Sequence, residues 1–176
     1  MEIVRHLEST EPAIASMGCK IVHNLTIEDF ERVLSVERPP VMILFSHWKD
    51  NSVEFADGVF DIFGIIERIP NAYSGILDLA ICTPKSLAVE VARRKENCLV
   101  RYSDTKATPY YWVYFYLVVF KILSEYRVTY LQAIELAVDA FLSEDDEPEA
   151  RGANGKGNHS RLFRGGARRG NGQARW

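Results

Sequence analysis

Val41-Met-Ile-Leu-Phe45 decides the fold class of this chain, because five apolar residues run on without alternation. Such a run predicts a strand covered on both faces, as in a parallel sheet flanked by helices. Its surroundings extend the reading. Thr26-Ile-Glu-Asp29, ahead of Phe30, Val33 and Leu34, predicts a short helix capped by the Thr26 hydroxyl. Asn51-Ser-Val-Glu54 predicts a longer one, with Phe55, Val59, Phe60, Phe63 and Ile66 at three- and four-residue steps up to Pro70. Thr83-Pro84 puts a capping hydroxyl before a first-turn proline and leads to the basic end Arg93-Arg94-Lys95. Thr129-Tyr-Leu-Gln132 opens a last helix with Leu131, Ile134, Ala137, Val138 and Phe141 on one stripe.

Strand-like runs alternate with these helices: residues 20–23, 41–45, 75–82, 110–120 and 122–128. The run 110–120 is rich in aromatic and β-branched residues, which predicts an antiparallel pair with 122–128, although no Gly, Pro or Asn marks a turn between them. The order β-α-β-α-β-α-β-β-α requires crossovers and hence a largely parallel sheet with an antiparallel edge.

That order resembles the thioredoxin fold over residues 20–142, and three places carry the resemblance. Pro40 to Trp48 looks like the central strand ending in the tryptophan before the redox motif. A helix is expected directly after that tryptophan. Ala107-Thr108-Pro109 looks like the approach to the family's cis-proline. The resemblance implies a three-layer α/β/α sandwich with a mixed central sheet and extended terminal arms. The family's Trp-Cys-x-x-Cys would fall on Trp48-Lys49-Asp50-Asn51-Ser52, so an amine and a hydroxyl replace both sulfurs. The family's buried strand carboxylate would fall on Ile43. Thiol–disulfide exchange needs a thiolate, so the expectation is a degenerate redox motif and no catalysis.

Composition narrows the function classes. Six arginines, one lysine and no carboxylate lie beyond residue 150, giving that segment +7 and leaving −10 for residues 1–150. The sequence thus divides into an N-terminal arm (1–19), a domain (20–142), an acidic linker (143–150) and a basic tail (151–176) that holds seven of the eleven glycines. Too little apolar surface lies in that tail to offset its ordering entropy, so it is expected to order only on binding. Cys19, Cys82 and Cys98 are odd in number and lack Cys-x-x-Cys spacing, and the four histidines lack ligand spacing. No metal, cofactor or small-molecule substrate is expected. The residues from 1 to 18 carry charges unlike a secretory signal, and the run 110–120 falls short of the ~20 residues that span a bilayer, which points to an intracellular soluble protein or a component of a virion or similar assembly.

Two contact surfaces follow. Tyr111, Trp112, Tyr114 and Tyr116 supply rigid rings of the kind favoured at protein interfaces. Arg151, Arg161, Arg164, Arg168, Arg169 and Arg175 make the tail an anchoring arm for neighbouring proteins. The expected role is a non-catalytic structural protein that cements a large assembly, such as a minor capsid protein of a large virus. The alternatives are nucleic-acid binding by the Arg/Gly tail and a residual thioredoxin-like oxidoreductase.

Overall fold

The computed structural model describes residues 10–103 and 107–144, and these form two compact units. An α/β unit takes residues 24–103, while 10–23 and 107–144 make up a helical unit. Among the described residues no helix is long and apolar enough to cross a membrane.

In the α/β unit, helix α2 (Ile27–Arg32) starts as its sequence predicts, with Thr26 Oγ1 accepting from the Asp29 amide at 3.1 Å. One wide turn over Val33–Glu37 continues it and stops at Arg38, whose φ is +47°. Strands β1 (Val41–Phe45), β5 (Ile76–Ala80) and β6 (Leu99–Tyr102) form a three-stranded sheet in the order β1-β5-β6, parallel throughout. The α/β class therefore stands. The expected mixed sheet does not: the antiparallel strands form a separate meander. The strand expected at the centre is also displaced. β1 lies at the edge with only Leu44 fully buried, and β5 takes the middle with Leu77 to Ala80 buried.

The meander is β2 (Trp48–Lys49), β3 (Ser52–Phe55) and β4 (Gly58–Asp61), where the sequence predicted a helix. Asp50 and Asn51 both take left-handed backbone, φ +52° and +59°, which is the two-residue hairpin turn matching the twist of paired strands. Along β3 the buried residues alternate, Val53 and Phe55 inward and Glu54 outward. A period of two won over the apparent helical spacing. Asp61 then caps α3 (Ile62–Arg68) by accepting from the Gly64 amide at 2.8 Å. Phe55 meets Phe30 and Phe60 edge-on, each pair with centroids 5.6 Å apart, in a core with Leu34, Leu44, Ile65, Leu77 and Leu79.

Helix α4 (Lys85–Arg94) follows β5 as predicted, but its cap does not form. Pro84 holds the cap position without a side-chain bond, and Thr83 sits at φ +50°.

In the helical unit, residues 10–16 form helix α1. Gly18 (φ +81°) ends it, with Gly18 N donating to Ala15 O and Cys19 N to Ile14 O, the two bonds of a left-handed glycine stop. The described part of the expected extended N-terminal arm is thus helical, and residues 20–23 form no strand. The largest correction concerns residues 110–128. They are not two strands: Pro109–Glu125 is one helix, α5. Thr108 caps it by accepting from the Tyr111 amide at 3.3 Å, and Pro109 occupies the first turn. No cis peptide occurs among the described residues, so Pro109 is a helix starter and not a cis-proline. A four-residue connection leads to α6 (Tyr130–Glu144). Its start is a reciprocal cap: Thr129 N donates to Gln132 Oε1 at 2.9 Å, and Gln132 N donates to Thr129 Oγ1 at 3.3 Å.

Candidate functional site

The degenerate motif lies at the tip of the β2–β3 hairpin. Lys49 and Ser52 are ladder partners flanking the Asp50-Asn51 turn, and Trp48 pairs with Val53 and packs half-buried on the core. The motif is thereby removed from a helix start, the place where a dipole would lower the pKa of a nucleophile. The Ser52 hydroxyl donates to the Asp50 carbonyl at 3.4 Å, and Ser86 in the first turn of α4 donates to Asn51 Oδ1 at 3.5 Å. These contacts pin a turn. Because each left-handed non-glycine residue costs about 1–2 kcal/mol, Asn51→Val is expected to destabilise the chain by about that amount, while Asn51→Gly holds or raises stability. Urea midpoints of the two variants check the sign.

The thiols stay apart from this tip chemistry. Cys19, Cys82 and Cys98 form no disulfide with one another. Burial pushes the Cys98 thiol up to about 11 and raises that of Cys19, which favours the protonated form of both. Among the described residues no three His, Cys, Asp or Glu side chains gather as a metal site.

A buried ion pair in the parallel sheet was not legible as such in the sequence. Asp78 on β5 has no exposed surface, and Arg101, its direct partner on β6, places Nη1 2.7 and 2.9 Å from the two carboxylate oxygens. Asp78 is also the β1 neighbour of Ile43, so a buried carboxylate exists one strand away from the position the resemblance assigned. An arginine ties it down. The signal was present as a lone Asp within 75–82, but its partner stands in a segment with no marked pattern.

Of the four aromatic candidates for contact, only Tyr114 is exposed, at 53%. Trp112 and Tyr116 are buried and stacked at 6.0 Å, and Tyr111 lies half-buried against Phe115 and Phe141. The helix explains this partition: ring positions that would alternate on a strand are spread round α5, and most turn inward. Trp112 Nε1 is buried without a hydrogen-bond acceptor, which costs about 1–3 kcal/mol. Beside Tyr114, a groove of about 260 Å³ opens between α5 and α6, lined by Tyr114, Val118, Ala140 and Phe141. Leu131, at the start of the apolar stripe of α6, and Leu136 are also exposed.

The tail positions Arg151, Arg161, Arg164, Arg168, Arg169 and Arg175 lie outside the described residues. No family model matches this sequence, and no curated protein matches it either.

Proposed function

We propose that this chain is a non-catalytic interaction protein that holds a place in a large assembly, with the α5–α6 hairpin as its contact face and the basic tail as an anchoring arm. The observation that carries this reading is the aromatic hairpin itself: a helix rich in Tyr, Trp and Phe leaves Tyr114 exposed on the rim of an apolar groove. Large rigid rings beside a pocket are the usual anchors of protein contacts. A minor capsid or cement component of a large virus is one such setting. Of the thioredoxin-like resemblance, only the parallel strand running towards Trp48 enters this reading, and no redox activity comes with it. Lysine and serine at the motif, facing one another in a ladder, support that view.

The test has two arms. Full-length chain should co-sediment with a large particle in extracts of cells that make it, and Tyr114→Ser or deletion of residues 151–176 should release it. In the second arm, insulin reduction should show no turnover. A chain that sediments alone, or one that turns over insulin, overturns the reading. A second reading, nucleic-acid binding, is favoured by the +7 charge of the tail. It requires affinity that falls steeply with salt and disappears with the tail.

A further inference from the structure

The groove between α5 and α6 has a size, a chemistry and a position that together select an occupant. About 260 Å³ lined by Tyr114, Val118, Ala140 and Phe141 accommodates one large side chain, and this described lining is mostly apolar. Phe141, one of the lining residues, is itself packed against the rings of Tyr111 and Phe115, at 5.5 and 5.9 Å. An aromatic guest gains edge or offset contacts with such walls that an aliphatic guest does not. The helix that forms one side of the groove is acidic, with Glu135 and Asp139 on the exposed surface of α6, and in sequence the run Glu144 to Glu149 that follows holds five more carboxylates.

One segment of this chain answers all three properties. Beyond Glu149 the only large apolar side chains are Leu162, Phe163 and Trp176, and the first two stand between two arginines, as Arg161-Leu-Phe-Arg164. We propose that the α5–α6 groove seats the Phe163 ring of the same chain, with Arg161 and Arg164 directed to the exposed carboxylates of α6. Ala140 and Phe141 lie within one turn of the end of α6, so the groove is ~5–6 Å from the last residue of that helix. Residues 145–161 connect α6 to this segment, and seventeen residues can reach at most ~3.3–3.6 Å each, ample for a return to the groove. Covalent attachment through a short connection makes the encounter intramolecular, which favours the chain's own segment over that of a separate copy. This deepens the anchoring-arm reading, on which it rests, by naming where the arm rests when no partner holds it: partners and Phe163 compete for one groove.

The experiment uses the full chain with p-benzoylphenylalanine at position 163. Irradiation should give a product of monomer mass, with cross-links mapped to residues 114–118 or 140–141. Cross-links elsewhere, or only in a product of dimer mass, overturn the assignment. Hydrogen exchange on unlabelled protein covers the event that the bulkier ring does not fit. Phe163→Ser and Ala140→Arg, the latter filling the groove from an exposed position, should each speed exchange in the last two turns of α6 by about tenfold. Exchange that is unchanged in both variants, with no mapped monomer cross-link, also overturns it. The two readings fail separately. If Tyr114→Ser still frees the chain from its particle while position 163 never cross-links to the groove, the contact face stands and only its intramolecular guest is lost.

Discussion

Replacing Arg101 with alanine is expected to destabilise the α/β unit by about 3–5 kcal/mol, a large share of the roughly 5–15 kcal/mol that holds a typical domain folded. Asp78 has no exposed surface, and Arg101 presents Nη1 to both of its oxygens at 2.7 and 2.9 Å. The attraction is not the source of the cost. Taking two charges out of water consumes most of what their contact returns, so the intact pair is close to neutral in net stability. Removing one partner is different, because the carboxylate stays in the central strand without the cation that offset its desolvation. The converse substitution separates these effects. Asp78→Leu combined with Arg101→Met should recover most of the loss, since apolar residues of similar volume carry no desolvation penalty. Urea unfolding, followed by exchange of the β5 amides, reads both. An alanine variant within ~1 kcal/mol of the parent would show that the pair is hydrated and that this account of the sheet is wrong.

Gly75→Ala should be comparably severe, at about 3–5 kcal/mol, although it adds a single methyl group. A Cβ there would stand 2.6 Å from the Pro39 carbonyl oxygen and would run into the Tyr73 hydroxyl. The first obstacle is backbone and cannot swing aside. The second is a side chain 1% exposed that is held in place by two bonds, with Tyr73 Oη donating to Pro39 O at 3.0 Å and Ile76 O at 3.3 Å. Burial raises the pKa of that phenol well above its ordinary value, which favours the protonated, donating form. Overpacking costs ~1–3 kcal/mol, and stranding the phenol adds a desolvation term of about 1–3 kcal/mol. The same spot sets the register of β1 against β5, because Ile76 N donates to Pro40 O at 2.9 Å just beside it. Tyr73→Phe removes one of the atoms struck, so the double variant should lose less than the sum of the singles. Strict additivity in thermal unfolding would mean that the methyl and the hydroxyl do not meet.

How far the fold could be read ahead of the coordinates depends on which residues carried a local mechanism. Thr26 and Thr129 were legible because each is followed three residues later by a side chain or amide that completes a cap. The helix α5 was not, and the reason is instructive. Its Tyr, Trp, Phe and Val favour strands intrinsically, but burial on several sides suits a helix that is apolar nearly all round. Two signs were available. No turn residue interrupts 110–128, and Thr108-Pro109 repeats the cap-then-proline start that the reading credited to Thr83-Pro84. The structure uses it at the first and not at the second. The meander was equally hidden by Phe55, Val59 and Phe63, whose spacing mimics a helix, while the structure cuts it with turns at Asp50-Asn51 and at Ala56-Asp57. Of the candidate site, the hairpin residues 48–52 were located as a group but placed on the wrong element. Tyr114 could not be singled out from its neighbours until the helix fixed which ring faces out.

The division of the chain into units has a consequence for its synthesis. Residues 10–23 cluster with 107–144, whereas 24–103 is one uninterrupted stretch. On a ribosome adding about 5–20 residues per second, the stretch 24–103 is complete roughly 2–8 seconds before residues 107–144, the companions of the first helix, have all been added. During that interval Ile14, which ends up buried, is exposed on the nascent chain. The helical unit therefore closes only after residues 107–144 have been added, although part of it precedes the whole of the α/β unit in the sequence.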